Sequence, residues 1–179
     1  MLQVQTSQVL LLDADFAPSE SLLQVAKVGV PGLTDDQLLI ITAFNSNVHA
    51  GSACSADLLQ SKANLLGAVE SAGGDCVATP YGPFLGAQTN YRKWWTAKGS
   101  YEVKPLLDSE PYFISTTASA LSFDERFVGY GADKEEQWLR TCCQGRKLMV
   151  SAEHYVLHVT HGGGHATWCA ATLCDPLSP

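Results

Sequence analysis

The tripeptide Asp13-Ala14-Asp15 closes an apolar run, QVLLLD over residues 8–13. In extended backbone, residues i and i+2 share a face, so this spacing predicts two carboxylates projecting together, roughly 6–7 Å apart at Cα. Two like charges that close repel unless a cation neutralises them, and hard carboxylate oxygens suit magnesium, calcium or manganese. The carboxyl end of a buried strand is also where open α/β sheets place their ligands. A solvated aspartate turn capping the next helix is the plainer reading, and the tripeptide alone does not separate the two. Four of the five histidines fall in one stretch, HYVLHVTHGGGH, as His154, His158, His161 and His165. On a strand His154 and His158 share a face, with His161 just past its end, and imidazole is the commonest metal ligand. The HGGG string also fits an oxyanion loop, but no G-x-S-x-G nucleophile elbow accompanies it, which discards a hydrolase. A third candidate segment, FDERFVGYGADKEEQW, carries Asp124 and Asp133, each readable as a helix or turn cap or as a catalytic base. Glu135 and Glu136 read as a solvated helix face, and Gly129-Tyr130-Gly131 as backbone brought close to a ligand.

The elements that must position these groups follow from hydrophobic patterning. Residues 8–13 and 38–44 (LLIITAF) are continuous apolar runs of strand length, as expected for strands buried on both faces. Residues 112–116, 147–151 and 155–159 also read as strands. Helices are predicted from residue 18, over 56–71 behind Ser55 as cap and ahead of Gly73, and over 134–142. Residues 45–55 read as a loop and 73–99, rich in glycine, as a long surface excursion. The alternation predicts a mixed α/β domain. With 179 residues and 46% apolar composition the chain fits one domain. Its net charge of −7 argues against a nucleic-acid partner tracked along the backbone. No apolar run is long enough for a membrane span, and no signal segment opens the sequence. Six cysteines without a C-x-x-C leave disulfides and free thiols equally open.

Six blocks in order, LLLDADFAPS, LLIITAF, TNYRKW, SEPYF, FDERFVGYGADK and YVLHVTH, resemble the glycosyltransferase-49 family. That family holds the LARGE-type xylosyl- and glucuronyltransferases and the β-1,4-glucuronyltransferase acting on dystroglycan glycans. The resemblance runs from about residue 5 to 161, and residues 162–179 read as a separate Gly-rich, irregular tail. It implies a GT-A-like mixed sheet with flanking helices and inverting transfer of a sugar, glucuronic acid or similar, from a UDP-sugar to a glycan or glycoprotein acceptor. The implied cofactor is a divalent cation, Mn2+ ahead of Mg2+, held by Asp13, Asp15 and His158 or His161. Asn90 and Trp94, in a T-N-[FY]-x-x-W block, and Glu110, in an E-P-[FY] block, are implied to line the donor and acceptor cleft. The base is expected to be Asp133, then Glu110 or Asp124, although animal members carry asparagine where Asp133 stands. Tyr91, Trp94, Trp95 and Tyr112 are candidate sugar-stacking rings. Full-length relatives are expected in the Golgi lumen on a membrane anchor.

Only twelve residues precede Asp13, so the nucleotide-reading half of a GT-A domain is expected to be largely missing, leaving turnover by this stretch alone open. Two other readings stay open beside the transferase. One is a non-catalytic glycan- or protein-binding module derived from it. The other is a non-haem iron(II) oxygenase, which needs two histidines and one carboxylate and usually a jelly roll.

Overall fold

The computed structural model describes residues 6–70, 75–82, 87–107, 109–127 and 132–160. The described strands are β1 (Gln8–Leu11), β2 (Phe16–Pro18), β3 (Gln37–His49), β4 (Ala78–Pro80), β5 (Tyr101–Val103), β6 (Tyr112–Thr116) and β7 (Lys147–Thr160). The described α-helices flanking them are α1 (Glu20–Val28), α2 (Ala53–Gln60), α3 (Lys62–Glu70), α4 (Tyr91–Thr96) and α5 (Asp133–Cys143). The sheet runs β1-β6-β3-β7-β2, with β4 on β3 and β5 on β7. Among the described residues β3 and β7 pair in parallel and the other pairings are antiparallel. This is the mixed α/β sheet with flanking helices that the sequence predicts.

Strand β3 is the spine. Leu38, Ile40, Phe44 and Val48 join one apolar cluster, with Leu58, Leu65, Trp94 and Trp138 from the helices. Leu39, Ile41 and Ala43 point the other way, into a second cluster with Phe16, Leu22, Tyr112 and Ile114. Burial on both faces is why LLIITAF carries no polar alternation. Strand β1 was expected to be buried on both faces too, but it forms the sheet margin and stays half-buried.

Several boundaries differ from expectation for tertiary reasons. The predicted loop over 45–55 is strand as far as His49, where β3 pairs with β4 and β7, and already enters α2 at Ala53. The helix predicted over 56–71 is two helices, α2 capped by Ser52 and α3 starting after an extended Ser61. The excursion over 73–99 holds β4 and α4, the latter closing on the core through Trp94. Gly73 and residues 128–131, with the Gly-Tyr-Gly reading, lie outside the described residues, as does the tail 162–179.

The strands predicted at 147–151 and 155–159 are one strand, β7, with a bulge. Between the pairs Ile40↔Val150 and Thr42↔Tyr155, β3 advances two residues while β7 advances five. The three extra residues are an odd number, so side-chain parity flips across the bulge. Leu148 and Val150 before it, and Tyr155, Leu157 and Val159 after it, all face the first cluster. Val156 consequently faces the second cluster, and His158 falls on that same side.

The bulge carbonyls are satisfied by side chains from two helices. Trp94 Nε1 donates to Ser151 O at 2.7 Å. Lys62 Nζ donates to Ala152 O at 2.9 Å and to Trp94 O and Ala97 O at 2.5 and 3.1 Å. The ammonium also lies 4.0 Å from the Trp94 ring centre.

Cys54, in the first turn of α2, is joined by a disulfide to Cys76, just before β4, with Cα atoms 5.8 Å apart. The bridge closes a 22-residue separation. Reducing it, or replacing both cysteines with serine, is expected to cost about 3 kcal/mol. Urea unfolding with and without reductant measures this; coincident curves would show that the bridge contributes nothing. Cys142 and Cys143 are free thiols. Burial pushes the Cys142 thiol up to about 11, which leaves it protonated and unreactive at neutral pH.

Candidate active site

Asp13 and Asp15 bracket a tight turn rather than an extended segment. The Phe16 amide donates to Asp13 O at 3.3 Å, and the chain then enters β2 against β7. The i, i+2 rule for strands therefore does not apply, and the two carboxylates take different partners.

Asp15 is set against His158. Pairing of β2 with β7 places Phe16 opposite His158, and the Val159 amide donates to Asp15 O at 3.2 Å. The Asp15 carboxylate lies 3.2 Å from His158 Nε2. The imidazole packs on Phe16 and Tyr81, with ring centres 5.1 and 5.8 Å away. Ser46 Oγ donates to its backbone carbonyl at 2.7 Å.

Asp13 meets a different set. Its Oδ2 accepts from Lys134 Nζ at 2.6 Å and from the Tyr112 hydroxyl at 2.9 Å. The same ammonium lies 3.6 Å from Glu110. Burial, with the Asp13 charge beside it, holds the Tyr112 phenol protonated well above its ordinary range, so it stays a donor. Burial also pushes Glu110 above the usual carboxylate range, Lys134 opposing the shift and Glu135 and Asp13 adding to it. A carboxylate pushed upward in this way and set beside other polar groups is a candidate proton acceptor.

The other expected site residues have different surroundings. Trp94 is fully buried, its ring in the core and its N–H on Ser151 O, so the expected cleft-lining role is corrected: it plugs the core. Asn90 sits at φ 55° and accepts from the Lys93 amide, capping α4. Next to it, the Tyr91 hydroxyl binds Ala43 O and the Tyr81 amide, and Tyr81 is one of the rings under His158. The T-N-Y-x-x-W block thus supports the site from below. Among the candidate stacking rings Trp95 is 40% exposed, whereas Trp94 and Tyr112 are in the core.

Asp124 accepts from the Arg126 guanidinium and backbone amide, which hold it well below the usual carboxylate range, making it a poor base. Asp133 opens α5, while its neighbour Ala132 takes the capping position without a side-chain bond. His154 does not join His158: its Nδ1 lies 3.1 Å from Ser21 Oγ, and burial pushes it toward the neutral form. His161 and His165 lie outside the described residues. Lys134 was not singled out in the sequence, where a lone lysine in a helix's first turn carries no spacing signal.

A mixed α/β sheet of GT-A-like type, with paired aspartates at its strand ends beside a late histidine, defines the class of domain. Residues 2–167 match the model of the family described as "Glycosyl-transferase for dystroglycan", and the chain belongs to that glycosyltransferase family. It is 29% identical over 161 residues to the glycosyltransferase-like protein gnt14 of Dictyostelium discoideum, covering 87% of this chain and 24% of that protein. To the xylosyl- and glucuronyltransferase LARGE2s of Danio rerio it is 29% identical over 163 residues, 88% of this chain and 21% of the relative. To LARGE1 of Gallus gallus it is 29% identical over 166 residues, 90% and 21% respectively. The chain thus spans between a fifth and a quarter of the length of these relatives.

Proposed function

We propose that the chain is the part of a sugar transferase that holds the leaving group's counter-charge and the acceptor's base. The reaction is inverting transfer of a sugar, glucuronic acid or a similar one, from a UDP-sugar to a glycan or glycoprotein acceptor. The convergence of Asp15 and His158 at the strand ends carries this reading, and family membership supplies the reaction class. The names of the LARGE relatives, xylosyl- and glucuronyltransferases, support a UDP-linked pentose or uronic acid as donor.

Asp15 and His158 give a hard oxygen and an imidazole nitrogen side by side, a donor pair that suits Mn2+ or Mg2+. Among the described residues no group of three acidic, histidine or cysteine side chains gathers closely enough to hold an ion. His161, the alternative to His158 as the late histidine, lies outside the described residues. A divalent cation bound at the pair would neutralise charge developing on the departing diphosphate. The chain's own residues do the rest. Glu110 takes the proton from the attacking hydroxyl, Tyr112 and Lys134 keep Asp13 in place, and Trp95 offers an exposed ring to a sugar. The oxygenase reading loses its jelly roll, because the sheet is mixed. The Cys54–Cys76 bridge supports an oxidising compartment such as the Golgi lumen. Among the described residues no helix is long and apolar enough to cross a membrane; anchoring of longer relatives is part of the proposal.

The test combines donor, acceptor and metal. UDP release is followed with Mn2+, a panel of UDP-sugars and a glycan acceptor, and Mn2+ binding is followed separately by calorimetry. Asp15→Asn is expected to weaken Mn2+ binding about 100-fold and to abolish metal-stimulated UDP release. Acceptor binding without UDP release from any donor would favour a binding module instead. Absence of both would refute the reading.

A further inference from the structure

We propose that the outer face of α4, with the link that follows it, is a docking surface for an anionic glycan chain bearing uronic acid carboxylates. The choice of a uronate-bearing chain rests on the transferase reading above; the surface itself does not.

The charge distribution points to it first. Between Asp75 and Glu102 the sequence holds Arg92, Lys93 and Lys98 and no carboxylate side chain. The rest of the chain carries eight lysines and arginines against eighteen carboxylates. A locally positive face on an otherwise acidic protein directs a polyanion to one place, because the remaining surface repels it. Arg92, Lys93, Trp95 and Lys98 are all exposed. Arg92 and Trp95 are three residues apart on α4 and so are neighbours on one helix face. Among the described residues neither Arg92 nor Lys98 is in an ion pair. Carboxylates on the adjoining strands are matched elsewhere. Tyr101 packs into the first apolar cluster, so Glu102 points to the opposite face of β5, where it lies 3.4 Å from Lys147. Glu153, at the β7 bulge, acts on the Lys62 ammonium.

The face is also held in place. Asn90 caps the start of α4, Trp94 sinks into the core, and Lys62 Nζ donates to Trp94 O and Ala97 O at the helix end. The Lys93 ammonium lies 4.4 Å from the ring centre of Tyr101, whose hydroxyl donates to Thr89 O at 2.6 Å. An exposed indole offers a flat apolar face to a pyranose ring. A guanidinium beside it reads a carboxylate through two parallel N–H bonds. That combination suits an acidic sugar. A membrane surface would need several apolar side chains to enter it, and Trp95 is the exposed large apolar side chain of α4. Because α4 packs on the first cluster while Phe16 and Tyr112 belong to the second, the surface lies across the sheet from the Asp15–His158 pair. It would hold sugars away from the reacting end of the chain.

Titration calorimetry of the whole chain, without donor or divalent ion, tests this against a hexasaccharide alternating glucuronic acid and N-acetylglucosamine. Its carboxyl-reduced form is the neutral control, and anionic phospholipid vesicles are the rival ligand. Binding to the acidic hexasaccharide is expected to weaken as salt is raised and to fall about tenfold on carboxyl reduction. Trp95→Ala should weaken it about tenfold, the scale of one ring contact. Arg92→Gln and Lys98→Gln should each weaken it about threefold, and Lys27→Gln on α1 should leave it unchanged. Melting temperatures equal to the parent's show that these surface variants keep the fold. No binding, equal binding of the neutral form, or binding that Trp95→Ala and Arg92→Gln leave unchanged overturns the surface. Tighter binding to the vesicles assigns the charge to a membrane and overturns it as well. Binding as expected by a chain that releases no UDP from any donor supports the surface and refutes the transfer reading alone.

Discussion

Replacing Trp94 with alanine is expected to cost about 3–5 kcal/mol, the range for removing a buried tryptophan, and to dismantle the site at the same time. The indole is wholly buried among Phe44, Tyr155 and Lys62, so its removal leaves a cavity in the core. It also strips the donor from Ser151 O, one of the bulge carbonyls that flip the parity of β7 and set the face of His158. Trp94→Phe separates the two effects. It retains much of the packing but leaves the buried carbonyl without its donor, for a loss of about 1–3 kcal/mol. Urea unfolding gives both numbers. Amide exchange at residues 150–156 should report faster opening in Trp94→Phe; protection equal to the parent's there would show that Trp94 does not support the bulge.

Glu110→Gln is expected to lower the rate of sugar transfer about 10²–10⁴-fold, the usual contribution of a general base, with the melting temperature at neutral pH held or slightly raised. The sign follows from the upward shift of Glu110, caused first by burial. A carboxyl whose folded-state pKa is raised stabilises the fold at pH values below its unfolded value, and that contribution is lost as pH rises through the folded value. A base works only when ionised, so activity moves the other way. It falls as pH drops through the same raised value, earlier than for an exposed glutamate. The parent's rate should therefore have an acid limb lying above the ordinary carboxylate range, and glutamine should remove the limb together with the rate. An Asp133→Asn variant serves as comparison, since Asp133 at the start of α5 was the first expectation for the base. A large rate loss there, with Glu110→Gln near the parent, would return the role to Asp133.

The particular residues show how much was legible from sequence. An apolar run followed by D-x-D, the LLIITAF strand, the helix over 134–142 and the histidine-bearing strand each carry local periodicity or composition. Those patterns placed the central strand, the mixed α/β class and the family blocks. The pairing of Cys54 with Cys76 had no such signal, because connectivity depends on which segments come together.

What the sequence determined alone is the set of chemical groups and the order of the strands that carry them: two aspartates after an apolar run, and a histidine late in a β-rich stretch. Tertiary structure decided which groups meet. A turn after β1 sets Asp13 against Lys134 and Asp15 beside His158. A three-residue bulge in β7 chooses the face on which His158 stands. Trp94 became a core plug because α4 packs on that bulge. Local sequence encodes periodicity, whereas turns, bulges and cross-strand register depend on contacts between residues far apart in the chain, and those contacts exist only once the sheet has assembled.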